Sequence, residues 1–144
     1  MNPLAVFWIG ALALCQAGEP AEDPRRQIST TVPAMVTLLE KQEYRQLIED
    51  YVDPSDLEEA LQRRMEADSV AGATPEESRE AALGTLVKHF GGRQAKELLA
   101  ALQAASANPP AEAGPDQDRL TLLGDGVERP LVFVRIDGLW RLKN

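Results

Sequence analysis

The chain has 144 residues, 44% of them hydrophobic and 26% charged, with a formal net charge of -8. That balance supports one folded domain with flanking segments and excludes wholesale disorder. An acidic chain with only 5% aromatics is poorly suited to phosphate backbones, base stacking or anionic membrane surfaces.

Leu4 to Leu14, LAVFWIGALAL, is an uncharged apolar run of 11 residues. A spanning helix needs about 20, so this length fits the apolar core of an export signal. No Lys or Arg precedes it, which leaves the α-amino group as the only positive charge there. Two processing routes are open. Cleavage after Ala17 would use the small residues Cys15 and Ala17 and leave a mature chain without cysteine. The LALC stretch instead resembles a bacterial lipobox, which makes Cys15 a lipidation candidate. An uncleaved anchor or a buried N-terminal helix is the third route. With a single Cys, the chain can build neither an intrachain disulfide nor a zinc site from Cys pairs. Residues 1–17 are thus read as a leader, and Gly18 to Thr31, GEPAEDPRRQISTT, as a flexible Pro-bearing tether. Residues 32–144 are read as one domain.

Met35 to Tyr51 is predicted to be the first helix, with Leu38, Leu39, Leu47, Ile48 and Tyr51 recurring at helical spacing. DPSD follows. Asp53 is a good N-cap, because its carboxylate accepts first-turn N–H groups, and Pro54 suits the first helical position. Leu57, Leu61 and Met65 form the stripe of a second helix. TPEE repeats the start signal: Thr74 caps, Pro75 follows, and Glu77 completes a capping box. Ala82, Leu83, Leu86, Val87 and Phe90 define the buried face of the third helix, and Gly91-Gly92 is expected to end it in a left-handed cap. Arg93 to Ala107 is the alanine-rich fourth helix, stopped by a loop over 108–118.

Strands come last. RLTLLG, Arg119 to Gly124, is one; LVFVRI, Leu131 to Ile136, is the second. Asp137-Gly138 fits a two-residue type I′ turn, which needs positive φ at both positions. Ile136 should then pair with Leu139, Arg135 with Trp140 and Phe133 with Leu142. One face would carry Leu131, Phe133, Trp140 and Leu142, and the other Val132, Val134, Ile136 and Leu139 with Arg141 and Lys143. The predicted fold class is therefore α+β, with about four N-terminal helices packed on a C-terminal three-stranded antiparallel meander. Such a meander needs a helical cover to be stable.

The ending VRIDGLWRL and the opening VTLLEKQEYRQLIEDYVDPSDLEEAL resemble nuclear-transport-factor-two-like domains, small exported bacterial members above all, and their cystatin-like relatives. The resemblance covers Val36 to Leu61 and Arg119 to Asn144. Where the family has more strands, Glu76 to Ala107 reads as helix. It implies helices in the concave face of a curved antiparallel sheet, with an apolar cone as ligand pocket; Tyr51, Phe133, Trp140 and Leu142 are the candidate lining. Ketosteroid-isomerase-like members pair an Asp base with a Tyr donor, which nominates Asp137 with Tyr44 or Tyr51. Asp137 equally suits its turn on backbone grounds.

Other chemistry is thinly represented. His89 is the single histidine, and it lies near a helix end where a cation suits the dipole. DLEE and PEES read as first-turn acids rather than a metal site, and FGGR lacks the spacing and Lys of a phosphate loop. No cofactor, metal or nucleic acid is expected. The membrane is expected to be reached only through the leader or a lipid. The reading is an exported, non-catalytic binding or interaction module of a bacterial cell envelope, taking a protein or a small apolar ligand. A homodimer would use the Val132, Val134, Ile136 face. The alternatives are a small isomerase or dehydratase with a carboxylate in the cone, and a helical adaptor working through its fourth helix.

Overall fold

Asp23 starts the described structure in the same way that Asp53 starts a helix thirty residues later: an aspartate cap followed by proline. Its carboxylate accepts the Arg25 N–H at 3.0 Å and caps a single 3-10 turn, Pro24–Arg26. The computed structural model describes residues 22–108, 111–124 and 128–143. The leader reading, Cys15 included, lies outside them.

The turn runs into α1, Ile28–Glu40, which buries Ile28, Thr31, Val32, Met35, Leu38 and Leu39. These positions recur every three or four residues and form one stripe. The Thr31 hydroxyl donates to the Gln27 carbonyl at 2.7 Å, so its burial leaves no unpaired group. The tether expectation is corrected here. From Pro24 the segment is a 3-10 turn and then α1, joined at an extended Gln27, and Ile28 is 0% exposed. The Pro-bearing composition marks a helix start, not a free linker.

The single helix expected over Met35 to Tyr51 is two. After Glu40, Gln42 takes a left-handed φ of 60°. Its N–H donates to the Leu39 carbonyl at 3.1 Å, and the Glu43 N–H donates to the Leu38 carbonyl at 2.9 Å. That pair of bonds is a Schellman motif, and it closes α1 before α2, Tyr44–Tyr51, begins. A left-handed conformation costs a residue with a Cβ about 1–2 kcal/mol, whereas glycine gives up about 0.5–1 kcal/mol more backbone freedom on folding. Gln42→Gly is therefore expected to raise stability by about 0.5–1 kcal/mol. A higher urea midpoint at unchanged slope would show it; a lower midpoint would mean the turn is not left-handed in solution.

Helix α3, Pro54–Ala67, starts at the Asp53 cap. Helix α4, Pro75–Phe90, has the full capping box: Thr74 Oγ1 accepts from the Glu77 N–H at 3.2 Å, and Glu77 Oε2 accepts from the Thr74 N–H at 2.9 Å. Gly91 and Gly92 do end α4, but neither is left-handed; Gly91 has φ -63°. Gly91 answers a different demand. A Cβ there would sit 2.9 Å from Cε2 of the Tyr44 ring, which meets Phe90 edge-on at 5.8 Å between centroids. Helix α5 is Arg93–Ala107.

The sheet is a meander in the order β1-β2-β3, with β1 at Arg119–Leu122, β2 at Leu131–Ile136 and β3 at Leu139–Lys143. The architecture is α+β, with five helices preceding a three-stranded antiparallel sheet. Asp137 at φ 52° and Gly138 at φ 77° make the expected turn. Ile136 pairs with Leu139, Arg135 with Trp140 and Phe133 with Leu142. The inner face, Leu120, Leu122, Leu131, Phe133, Trp140 and Leu142, packs with α1, α2 and α5 into the main core. A smaller core of Ile48, Leu61, Ala82 and Leu83 joins α2, α3 and α4. Helix α2 links the two, since Leu47 and Tyr51 enter one and Ile48 the other.

Candidate functional site

The four residues nominated as a pocket lining are core residues. Phe133 and Trp140 are 0% exposed, and Tyr51 joins them in the main cluster with Leu142 half-buried against it. The Arg135 guanidinium lies 4.6 Å from the Trp140 ring centroid, a cation–π stack that closes the hairpin end of the core. The indole Nε1 is buried without a hydrogen-bond partner.

The Asp–Tyr pair of the isomerase reading is not brought together. Tyr51 precedes Val52, which bridges Leu142 near the far end of β3. Asp137 is exposed in the hairpin turn, five residues of strand away, or roughly 17 Å at the usual rise. Tyr44 packs on Phe90 at the other end of α2. Burial pushes the Tyr51 hydroxyl above its ordinary value, against the opposing pull of Arg25. His89 is exposed in the last turn of α4.

Charged chemistry gathers instead where α2 meets α3 beside β3. Both Arg25 and Arg141 donate to the Asp50 carbonyl, Arg25 at 2.9 Å. Two guanidinium groups thus satisfy the C-terminal end of α2, where free carbonyls attract cations. Arg25 also bridges Asp23 at 2.6 Å. That hydrogen bond, opposed by partial burial, holds the Asp23 carboxyl down to about 2. Next in the chain, the Asp53 side chain is 7% exposed and lies 3.1 Å from Lys143 Nζ, which also reaches Asp56 at 3.0 Å. The Asp53 carboxylate accepts from the Ser55 N–H at 2.9 Å and the Ser55 hydroxyl at 2.7 Å. Burial pushes Asp53 up, but Ser55 and Lys143 together hold it below the ordinary carboxylate range. Each partner has an evident structural duty, so this cluster ties chain segments together.

A concavity of about 170 Å³ lies between α2, α3 and α4, floored by Leu57, Leu61 and Leu83 and rimmed by Glu49, Arg79 and Glu80. At its rim Arg45 holds Glu80 at 2.6 and 2.9 Å, and Arg79 reaches Glu58 at 3.2 Å. The Arg45 hydrogen bond lowers the Glu80 carboxyl. A general acid or proton-holding base needs the opposite displacement. Among the described residues, no three His, Cys, Asp or Glu side chains gather as a metal site requires. No described helix is long and apolar enough to cross a membrane.

The remaining feature is the outer face of the sheet. Val132, Val134 and Ile136 of β2 alternate with the core residues and pair with Lys143, Arg141 and Leu139. The four aliphatic side chains are half-buried and belong to neither core cluster. Thr121 and Arg119 flank them on β1, both exposed. Leu123, 69% exposed, follows at the strand's end.

No family model, curated protein or solved structure matches this chain.

Sequence reasoning missed the α2–α3 charge cluster, because its bonded partners from different elements lie 25 to 91 residues apart in the chain. One signal was available: Asp23-Pro24 repeats the start grammar of Asp53-Pro54.

Proposed function

We propose that the protein is an exported, non-catalytic interaction module of a bacterial cell envelope, and that it binds a protein partner through the outer face of its sheet. The observation that carries this reading is the set Val132, Val134, Ile136 and Leu139, aliphatic side chains outside both cores. Aliphatic groups left on a sheet face favour burial against another surface. Export rests on the leader at 1–17, with either cleavage after Ala17 or a lipid on Cys15. The general layout of the nuclear-transport-factor-two-like resemblance, helices against an antiparallel sheet, agrees with this role. The separation of Asp137 from Tyr51 and the lowered Glu80, Asp23 and Asp53 carboxyls weigh against the isomerase reading. A bound small apolar ligand is the weaker form of the proposal, because Phe133 and Trp140 already fill the space behind the sheet.

The test uses the full-length chain in a bacterial host. Mass spectrometry of membrane and soluble fractions reads the mature N-terminus and any lipid on Cys15. A photo-crosslinking side chain is placed at Val134, with exposed Glu59 as the control position. The expected result is a processed N-terminus and a discrete adduct at position 134 that Ile136→Glu abolishes. An unprocessed cytoplasmic chain, or equal crosslinking at the two positions, would sink the proposal.

A further inference from the structure

The two edges of the sheet are finished differently. Along β3, the Asp53 N–H donates to the Leu142 carbonyl at 2.8 Å, and Val52 bridges Leu142. That edge is covered by the α2–α3 junction. Along β1, hydrogen bonds run to β2. The Arg135 N–H donates to the Asp118 carbonyl at 2.8 Å, and Leu120 and Leu122 stand opposite Phe133 and Leu131. In an antiparallel ladder, residues alternate between bonding the partner and facing away. Asp118, Leu120 and Leu122 therefore bond β2, and Arg119 and Thr121 turn their N–H and C=O groups outward. Among the described residues, the one bond on that side is from Gln117 Nε2 to the Arg119 carbonyl, at 3.4 Å. An open edge of this kind is a template for another strand.

We propose that β1 is the pairing edge of a homodimer, adding antiparallel to β1 of a second copy with Thr121 opposite Thr121. Two features fit a second copy as the occupant. First, a strand pairing with itself about a two-fold axis must avoid like charges face to face. A register centred on Arg119 would place two guanidinium groups opposite each other. The register centred on Thr121 gives a Thr–Thr pair and moves each Arg119 opposite the other copy's Leu123. Second, that register covers Leu123, which is 69% exposed, with the aliphatic stem of Arg119. The proposal does not rest on export or on a protein partner.

Sedimentation of the full-length chain over a micromolar-to-millimolar range is the first measurement, with a concentration-dependent dimer expected. Thr121→Pro removes an outward N–H without touching a β1–β2 bond, a substitution that edge strands accept. It should raise the dimer dissociation constant at least tenfold with an unchanged far-ultraviolet spectrum. Should that variant fail to fold, crosslinking decides. In a Cys15→Ser background, Thr121→Cys places thiols on Cα atoms about 5.5 Å apart across the axis, within disulfide reach, and should give a covalent dimer on mild oxidation. Val134→Cys in the same background should not. A monomer at every concentration, or crosslinking at Val134 instead of Thr121, would overturn the proposal.

Discussion

Trp140→Ala is expected to cost about 3–5 kcal/mol of folding stability, the range for truncating a large buried aromatic. Trp140 is 0% exposed and shares the main core with Phe133, Met35, Leu47 and Leu102. Its removal empties the junction of sheet, α1, α2 and α5, and it also strips the Arg135 guanidinium of its stacking partner. Domains of this size are stable by about 5–15 kcal/mol in total, so the variant should unfold at a much lower urea concentration. Trp140→Phe should cost less, because an aromatic ring still fills most of the space. The smaller ring loses volume, but it no longer buries an unpaired Nε1, and that group carries a penalty of its own. A loss under about 1 kcal/mol for Trp140→Ala would contradict the burial of this residue. The same experiment tests the ligand reading, since a pocket wall tolerates truncation far better than a packed centre.

Asp53→Ala should destabilise by about 1–2 kcal/mol, mainly through loss of the α3 cap. It also leaves Lys143 with Asp56 alone. Asp53→Asn keeps a capping oxygen and should lose about half as much. The pH dependence has a definite sign. Asp53 and Asp23 both hold their protons less tightly in the folded chain than at the ordinary 3.8. A depressed carboxyl contributes its full stability above that ordinary value and loses it as pH falls through the folded value. For Asp23 the folded value is about 2. Thermal midpoints should therefore hold steady from neutral pH to about 4 and fall between about 4 and 2. In Asp53→Asn that fall should be shallower. An equally steep fall in the variant would show that Asp53 takes no part in acid unfolding.

Local rules reach as far as neighbouring residues interact. Asp53-Pro54 and Thr74-Pro75 announced their helices, because a cap and the N–H groups it satisfies lie within three residues of each other. Asp137-Gly138 set the hairpin register, since a two-residue turn leaves the flanking strands one way to pair. That register in turn separated Phe133 and Trp140 from Val132, Val134 and Ile136. The break at Gln42 was not legible. It carries no glycine, and its Schellman bonds are made by backbone alone. Gly91 was legible as a helix end but not as a space for the Tyr44 ring, which approaches from the start of α2.

By itself the sequence determined the α+β order of elements, the meander, the pairing of its hairpin, and the division of that hairpin into a core face and an aliphatic outer face. All of these follow from alternation, capping and turn chemistry over a few residues. Only the tertiary structure decided that Asp23 to Thr31 is docked and that Arg25 and Arg141 share the end of α2. It alone decided that Lys143 meets the cap of α3, and that, among the described residues, β3 has a covered edge while β1 has an open one. Those outcomes depend on contacts between residues distant in the chain. Their partners are chosen by how whole helices and strands pack, which no local pattern encodes.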